Sequence, residues 1–202
     1  MATVRATPTV FIVDDDDSVR ESLCAAFQSA GIQCESFATG EEFLAQFDPE
    51  WTGCVILDLR LSRMHGLEVQ AELAARGSRL PVVVLSAFID VPTAVKAVKS
   101  GAVDVFEKPL DGYALLERVR PIIEREMASR EKSAFSNRAA TLSDRQREIM
   151  ALLLLGKRTK EIARDLNISP KTVEKHRANV LSKMQAESVI DLMRQKLDDL
   201  GR

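Results

Sequence analysis

Long apolar runs are missing from this 202-residue chain. Stretches such as 82–85 and 151–155 fall far short of the roughly 18 residues that a membrane-spanning helix needs, so neither a span nor a membrane partner is expected. An export leader is not expected either. The apolar run 10–13 leads straight into Asp14, Asp15, Asp16 and Asp17, where the hydrophobic region of a signal peptide tolerates no charge. A cytoplasmic location is the expectation. Cysteine is scarce: Cys24, Cys34 and Cys54 are odd in number and lie in apolar or strand-like surroundings without C-x-x-C spacing. They read as reduced packing residues, with neither zinc nor a disulfide expected. Internal repeats and low-complexity tracts are absent, which removes solenoid and fibrous architectures.

What remains is ordinary globular material. Hydrophobic residues at 46% and charged residues at 29% are close to soluble averages, and the length suits two small domains. The net charge of −2 hides an asymmetry. Residues 1–125 hold 12 Lys/Arg against 19 Asp/Glu, whereas 126–202 hold 16 against 11, so the first part carries −7 and the second +5. A basic C-terminal part favours an anionic polymer as partner.

Along the first part, short β-branched or aromatic runs alternate with amphipathic stretches. Strands are expected at 9–13, 33–37, 54–57, 81–85 and 103–106, and helices at 18–30, 41–47, 66–76, 91–99 and 111–123. Continuous rather than alternating apolar strands imply a parallel sheet covered on both faces, a doubly wound five-stranded α/β domain. Ser18 is expected to cap the first helix, and Gly31, Gly77 and Gly101 to stop three others. Residues 124–141 carry mixed charge and few large apolar side chains, and read as a frayed helical extension followed by linker. An all-helical segment follows. Ser143 and Gln146 form a capping-box signature, Gly156 stops that helix, a short helix spans about 159–166, and Asn167 ends it. Ser169 with Pro170 opens a third helix to about 184, and a fourth fits 188–197.

Ligands of an open α/β sheet collect beyond the carboxyl ends of its strands. Those ends carry Asp14 and Asp15, Asp58, Ser86 and Lys108. Converging carboxylates need a cation, and hard oxygen donors suit Mg²⁺. One carboxylate could then attack a phosphoryl group, with an ammonium and a hydroxyl balancing the phosphoryl oxygens. In this constellation residues 8–125 resemble a receiver domain of a two-component response regulator. The resemblance makes Asp58 the phospho-acceptor. Asp15 becomes the direct Mg²⁺ ligand, Asp14 acts mainly through water, and the backbone carbonyl of Arg60 completes the metal set with Asp58. Ser86 becomes the switch hydroxyl, and Lys108, before Pro109 in a bond usually cis, the phosphate-binding lysine. The sequence departs from the family at Ser62, where a proline is usual, at Phe88, a bulky residue placed beside the acyl phosphate, and at Val105, where an aromatic is common. Phe106 is expected to face the other side of the strand.

The basic part resembles the four-helix LuxR-type helix-turn-helix of the NarL/FixJ regulators, and the whole looks most like the FixJ branch. The matching residues include Leu142-Ser143-Asp144-Arg145-Gln146, Glu161-Ile162-Ala163 and Thr172-Val173-Glu174-Lys175-His176. The implied division is a receiver at 8–125, a helical extension and linker at 126–140 and a DNA-binding domain at 141–202. On the recognition helix, Val173, Val180, Leu181 and Met184 are expected inside. Glu174, Lys175 and Ala178 are candidates for base edges, and Lys171, Thr172, Arg177 and Lys183 for phosphates, with Ser169 and the helix N-terminus adding donors. His176 is expected between the inner and outer faces, in a packing or phosphate-side role and not in base readout. Ala151, Leu152, Leu153, Leu154 and Leu155 with Leu192 and Leu197 make more apolar surface than four short helices bury, which a homodimer or ordinary packing would use.

The resemblance implies a non-enzymatic, phosphorylation-activated transcription factor, with a sensor histidine kinase as donor, promoter DNA as target, RNA polymerase as a further candidate partner and a phosphorylation-dependent homodimer. An aspartyl-nucleophile phosphohydrolase would need a second aspartate two residues after Asp58, where Arg60 stands. A nucleic-acid binder with a vestigial receiver would not need the full acidic pocket.

Overall fold

The computed structural model describes residues 7–109 and 111–200, the last without its side chain. They form two compact units that divide between Met127 and Ala128. In the first, β1 (Thr9–Val13), α1 (Asp17–Ser29), β2 (Gln33–Phe37), α2 (Gly40–Gln46), β3 (Gly53–Asp58), α3 (Gly66–Ala75), β4 (Val82–Ser86), α4 (Val91–Lys99) and β5 (Ala102–Glu107) alternate along the chain, followed by α5 (Gly112–Ala140), whose residues from Ala128 on belong to the second. The sheet is parallel in the order β2-β1-β3-β4-β5. The order reverses between β1 and β3, which opens a crevice at their carboxyl ends.

Period-two alternation divides the core between the sheet's faces. Phe11, Val13, Val55, Leu57, Val82 and Val84 pack with Phe43, Val69, Leu73 and Ala97 from α2, α3 and α4. Val10, Ile12, Cys54, Ile56, Val83 and Leu85 pack with Leu23, Phe27, Leu115 and Val119 from α1 and α5. Val105 joins the first cluster and its neighbour Phe106 the second, as the pleat requires. Gly31, Gly77 and Gly101 follow their helices at positive φ, as expected.

Three expectations need correction. The cap of α1 is Asp16, whose carboxylate accepts from the Ser18 and Val19 amides and the Ser18 hydroxyl; an aspartate two residues earlier outcompetes Ser18 for the role. The stretch read as frayed extension and linker is helical to Ala140, because Phe135 and Ala139 supply an apolar anchor that composition alone underrates. Cys24 and Cys34 are a disulfide with Cα atoms 5.5 Å apart. Their contacts come from the packing of α1 on β2, which residue spacing does not reveal. Cys54 is the buried, reduced packing residue expected.

The second unit adds α6 (Asp144–Leu154), α7 (Thr159–Asp165), α8 (Pro170–Met184) and α9 (Val189–Leu200). Ser143 and Gln146 make the expected capping box on α6, Gly156 and Asn167 take positive φ after α6 and α7, and Ser169 caps α8 with Pro170 in its first turn. One cluster joins Phe135, Leu142, Val180, Met184 and Leu192, and another joins Ile149, Leu153, Ile162 and Val173. Leu153 and Leu192 are thus buried, as the ordinary-packing alternative had it, whereas Leu155 and Leu197 are exposed. The final positions of the basic domain, 201 and 202, lie outside the described residues.

Candidate functional site

The acidic run after β1 splits into separate tasks within one turn. Asp14 is buried at the end of β1, Asp15 is exposed on the rim, Asp16 caps α1, and Asp17 pairs with Arg20. The Asp14 backbone is gripped from two sides, its N–H donating to the Phe37 carbonyl at 3.2 Å and its carbonyl accepting from the Arg20 guanidinium at 2.6 Å. Asp58 ends β3, and the turn after it is fixed by the Arg60 N–H, which donates to the Asp58 carboxylate at 2.8 Å. The start of α3 closes on that turn so tightly that a Cβ on Gly66 would fall 2.3 Å from the Asp58 carbonyl oxygen. Glycine is required here by close approach.

Carboxylate oxygens of Asp14, Asp15 and Asp58 all lie within 4.8 Å of one another. Lys108 follows β5, with its N–H on the Ser86 carbonyl at 2.8 Å and its peptide bond to Pro109 in cis. Its ammonium reaches Asp14 and Asp58, each at 2.5 Å. Burial pushes the Asp14 carboxyl above the ordinary range, and Lys108 only partly opposes this. Burial also works against the Lys108 ammonium, but hydrogen bonds to Asp14 and Asp58 prevail and hold its pKa above the usual value. Three carboxylates with one ammonium between two of them leave the site with more negative charge than Lys108 balances. Clustered carboxylate oxygens with that excess fit Mg²⁺. Ser86 is buried at the adjacent strand end, its hydroxyl on the Phe88 carbonyl at 3.4 Å. The Phe88 ring is exposed and lies 6.0 Å from the Arg60 guanidinium, bridging the β3 and β4 rims.

In the second unit, α8 buries Val173, Val180 and Met184 and exposes Lys171, Glu174, Lys175 and Ala178. Thr172, His176 and Arg177 are half-buried. Ser169 accepts from the Thr172 N–H at 3.1 Å. Two further polar candidates have partners within the unit. The Glu174 carboxylate accepts from the Thr159 hydroxyl at 2.5 Å, which ties α8 to α7. Lys183 donates to the Thr141 carbonyl at 2.8 Å and to Gln146 at 3.0 Å, so its ammonium secures the entry to α6 instead of standing free for a phosphate.

Comparison with known proteins places both halves. A response regulator receiver domain model matches residues 10–120, and the model of bacterial regulatory proteins of the luxR family matches residues 140–195. The chain is 42% identical over 192 residues to the transcriptional regulatory protein FixJ of Azorhizobium caulinodans, covering 93% of this chain and 91% of that protein. The chain belongs to the response regulators. Within that family it is 41% identical over 189 residues to the transcriptional regulatory protein TdiR of Thauera aromatica, with 92% and 83% covered. Full-length FixJ from B. japonicum matches in structure with a TM-score of 0.56 at 34% identity, over 95% of this chain and 97% of that one. The response regulator is a phosphorylation-activated transcription regulator with a receiver and a LuxR-type DNA-binding domain.

The structure brings Asp14, Asp15, Asp58 and Lys108 together as the strand ends foretold, with Arg60 and Ser86 on the adjoining rim. Sequence reasoning missed Arg20 as a clamp on the Asp14 carbonyl, and it missed the capping box at α3, where His65 accepts from the Leu67 N–H and Glu68 from the His65 N–H. The spacing of His65 and Glu68 offered that signal; histidine is simply an uncommon cap.

Proposed function

We propose that Asp58 is the phospho-acceptor of this response regulator, that Asp14, Asp15, Asp58 and the Arg60 carbonyl hold Mg²⁺, and that Ser86 and Lys108 hold the phosphoryl oxygens. The observation that carries this reading is the single ammonium of Lys108, 2.5 Å from both Asp14 and Asp58 within a cluster of three carboxylates. A carboxylate oxygen of Asp58 attacks phosphorus, the bond to the donor's nitrogen breaks, and a sensor histidine kinase is the donor. Held by these residues, Mg²⁺ would neutralise charge on the phosphoryl oxygens. Lys108 already lies on Asp58 and needs no long excursion to meet an oxygen of the group added there. The reading is non-enzymatic: Arg60 stands where an aspartyl-nucleophile hydrolase requires a second carboxylate and cannot serve as a general acid.

The receiver function occupies 8–125 and promoter binding 141–202, with 126–140 a helical connection. Lys175 and Ala178, with Glu174 held toward α7, face base edges; Lys171, Thr172, Arg177 and the Ser169 end of α8 take phosphates. Val91, Val95 and Val98 of α4 with Val103 of β5 form an exposed apolar face, which supports a receiver homodimer of the phosphorylated form. This function belongs in the cytoplasm. Acetyl phosphate with Mg²⁺ should add one phosphoryl group to the wild type and none to Asp58→Asn, read by intact mass; modification retained in the variant would refute the assignment.

A further inference from the structure

The phosphorylation and DNA-binding functions leave one pair of reactive side chains unused. Cys24 on α1 and Cys34 on β2 meet as a disulfide that closes a sequence separation of 10 residues. Both are half-buried, and both line a hollow on the surface with Arg20, Gln28 and Ser36. β2 is the edge strand, so this end of the sheet is open to small molecules. Cys54 differs on every count. It sits in β3 with no exposed surface, and burial pushes its thiol far above the ordinary range, which leaves no thiolate to react. The chain therefore holds one addressable pair and one spectator.

A protein that acts on DNA shares a compartment in which thiol reductants keep structural disulfides from persisting, a step that rests on the function proposed above. There, a solvent-reached disulfide is opened and closed by exchange. We propose that Cys24 and Cys34 are a reversible dithiol–disulfide pair, a redox modification site whose substrates are small disulfides of the oxidised-glutathione class. One cysteine thiolate attacks the small disulfide, forming a protein–glutathione mixed disulfide and releasing one glutathione thiolate. The second cysteine attacks the protein sulfur of that mixed disulfide and releases the other. The two protein thiols lose two electrons and two protons in all, the small disulfide gains both, and two glutathione molecules leave.

The bond has a definite place in the receiver scaffold. β2 supplies the Phe37 carbonyl that holds the Asp14 N–H, and α1 supplies the Arg20 guanidinium that holds the Asp14 carbonyl. Oxidation adds a cross-link between these two segments, and reduction leaves them joined by their packing and by the short turn of residues 30–32. The oxidised chain should therefore melt several degrees above the reduced one.

The test uses the full-length reduced protein, with oxidised and reduced glutathione as the probe couple. Iodoacetamide should label Cys24 and Cys34 in the native state and Cys54 only after unfolding. Oxidised glutathione should abolish the native labelling, remove two hydrogens from the intact mass and leave no glutathione attached; excess reduced glutathione should restore both thiols. Cys34→Ser should instead accumulate one glutathione on Cys24 and show no gain in melting temperature. Glutathione retained on both cysteines of the wild type, native thiols that do not react, a disulfide that reduced glutathione does not open, or equal melting temperatures would overturn the proposal. Acetyl phosphate labelling of the same reduced sample separates the two readings. Exchange without Asp58 labelling defeats the acceptor assignment alone, and Asp58 labelling without exchange defeats the redox pair alone.

Discussion

The lifetime of the phosphorylated state should depend on a pair of side chains that the sequence sets in different loops. Arg60 follows Asp58 by two residues and Phe88 follows Ser86 by two, and the guanidinium lies over the ring at 6.0 Å. The two strands they follow are neighbours in the sheet, with Asp58 opposite Leu85. The pair therefore spans the rim beside Asp58, and on the proposed acceptor assignment it would cover one side of the approach of water to phosphorus. Excluding that water slows hydrolysis for as long as the pair stays closed. An exposed cation–π contact is worth about 0.5–1 kcal/mol. At 1.36 kcal/mol per tenfold in rate, loss of the gate should accelerate dephosphorylation about 2- to 5-fold.

Phe88→Ala is the direct perturbation. The ring is 62% exposed, so its removal opens no core cavity and the fold should be untouched. Protein labelled by acetyl phosphate is freed of donor and held at saturating Mg²⁺ without kinase, and decay of the phosphorylated mass is followed. Arg60→Ala should shorten the half-life by a similar factor, and the double variant should go little further, because either change alone unlocks the same pair. A half-life in Phe88→Ala equal to or longer than wild type would refute the gate. Fully multiplicative single-variant effects would show that ring and guanidinium act separately.

Other outcomes follow from the same observations. Duplex binding by the phosphorylated protein should weaken steeply with salt, with Lys171→Ala or Arg177→Ala costing affinity for all sequences alike and Lys175→Ala changing sequence preference by about 1–3 kcal/mol in a competition assay; salt-independent binding would contradict the phosphate contacts. Val95→Asp places a charge on the exposed apolar face of α4 and should weaken self-association of the phosphorylated form at least tenfold in sedimentation, while leaving Asp58 labelling intact. Asp191 accepts from the Glu187 N–H and pairs with Arg194, which together hold its carboxyl below the ordinary range. A depressed folded-state pKa gives stability that is present above the unfolded carboxylate range and lost as pH falls through the folded value. The urea midpoint of wild type should accordingly exceed that of Asp191→Asn at neutral pH, with the gap closing in acid.

The receiver's architecture was legible because the three central strands β1, β3 and β4 are apolar on both faces and the edge strands β2 and β5 are short runs bounded by turn residues, so strand boundaries fell within a residue of those observed. The pocket was legible for a related reason. In a parallel sheet every strand presents its carboxyl end to the same rim, so order along the chain becomes proximity in space, and Asp14, Asp58 and Lys108 had to meet. Cys24 and Cys34 were not legible by this logic, since their meeting depends on how α1 lies across β2 and leaves no periodic trace. The helical stretch through 126–140 was hidden because one aromatic anchor, Phe135, outweighs a polar surrounding.

Recognition-helix roles show where pattern reading stops. Helical spacing correctly divided α8 into an inner face of Val173, Val180 and Met184 and an outer face with Lys171, Lys175 and Ala178. It says nothing about where a long polar side chain finds its partner. Lys183 lies on the outer side by spacing, yet two oxygen acceptors at the start of α6 are within reach of its ammonium, and donation to both leaves less of its charge for a phosphate. Glu174 is on the outer side too, yet the Thr159 hydroxyl holds its carboxylate toward α7, a useful position next to a polyanion because it keeps a negative charge from swinging freely on the binding face. Exposure on a helix is thus set by backbone period, while availability is set by the neighbours within one side chain's length. Lys175 is exposed, and no hydrogen bond or ion pair holds its ammonium among the described residues, so it meets both conditions that the proposed base-edge contact needs.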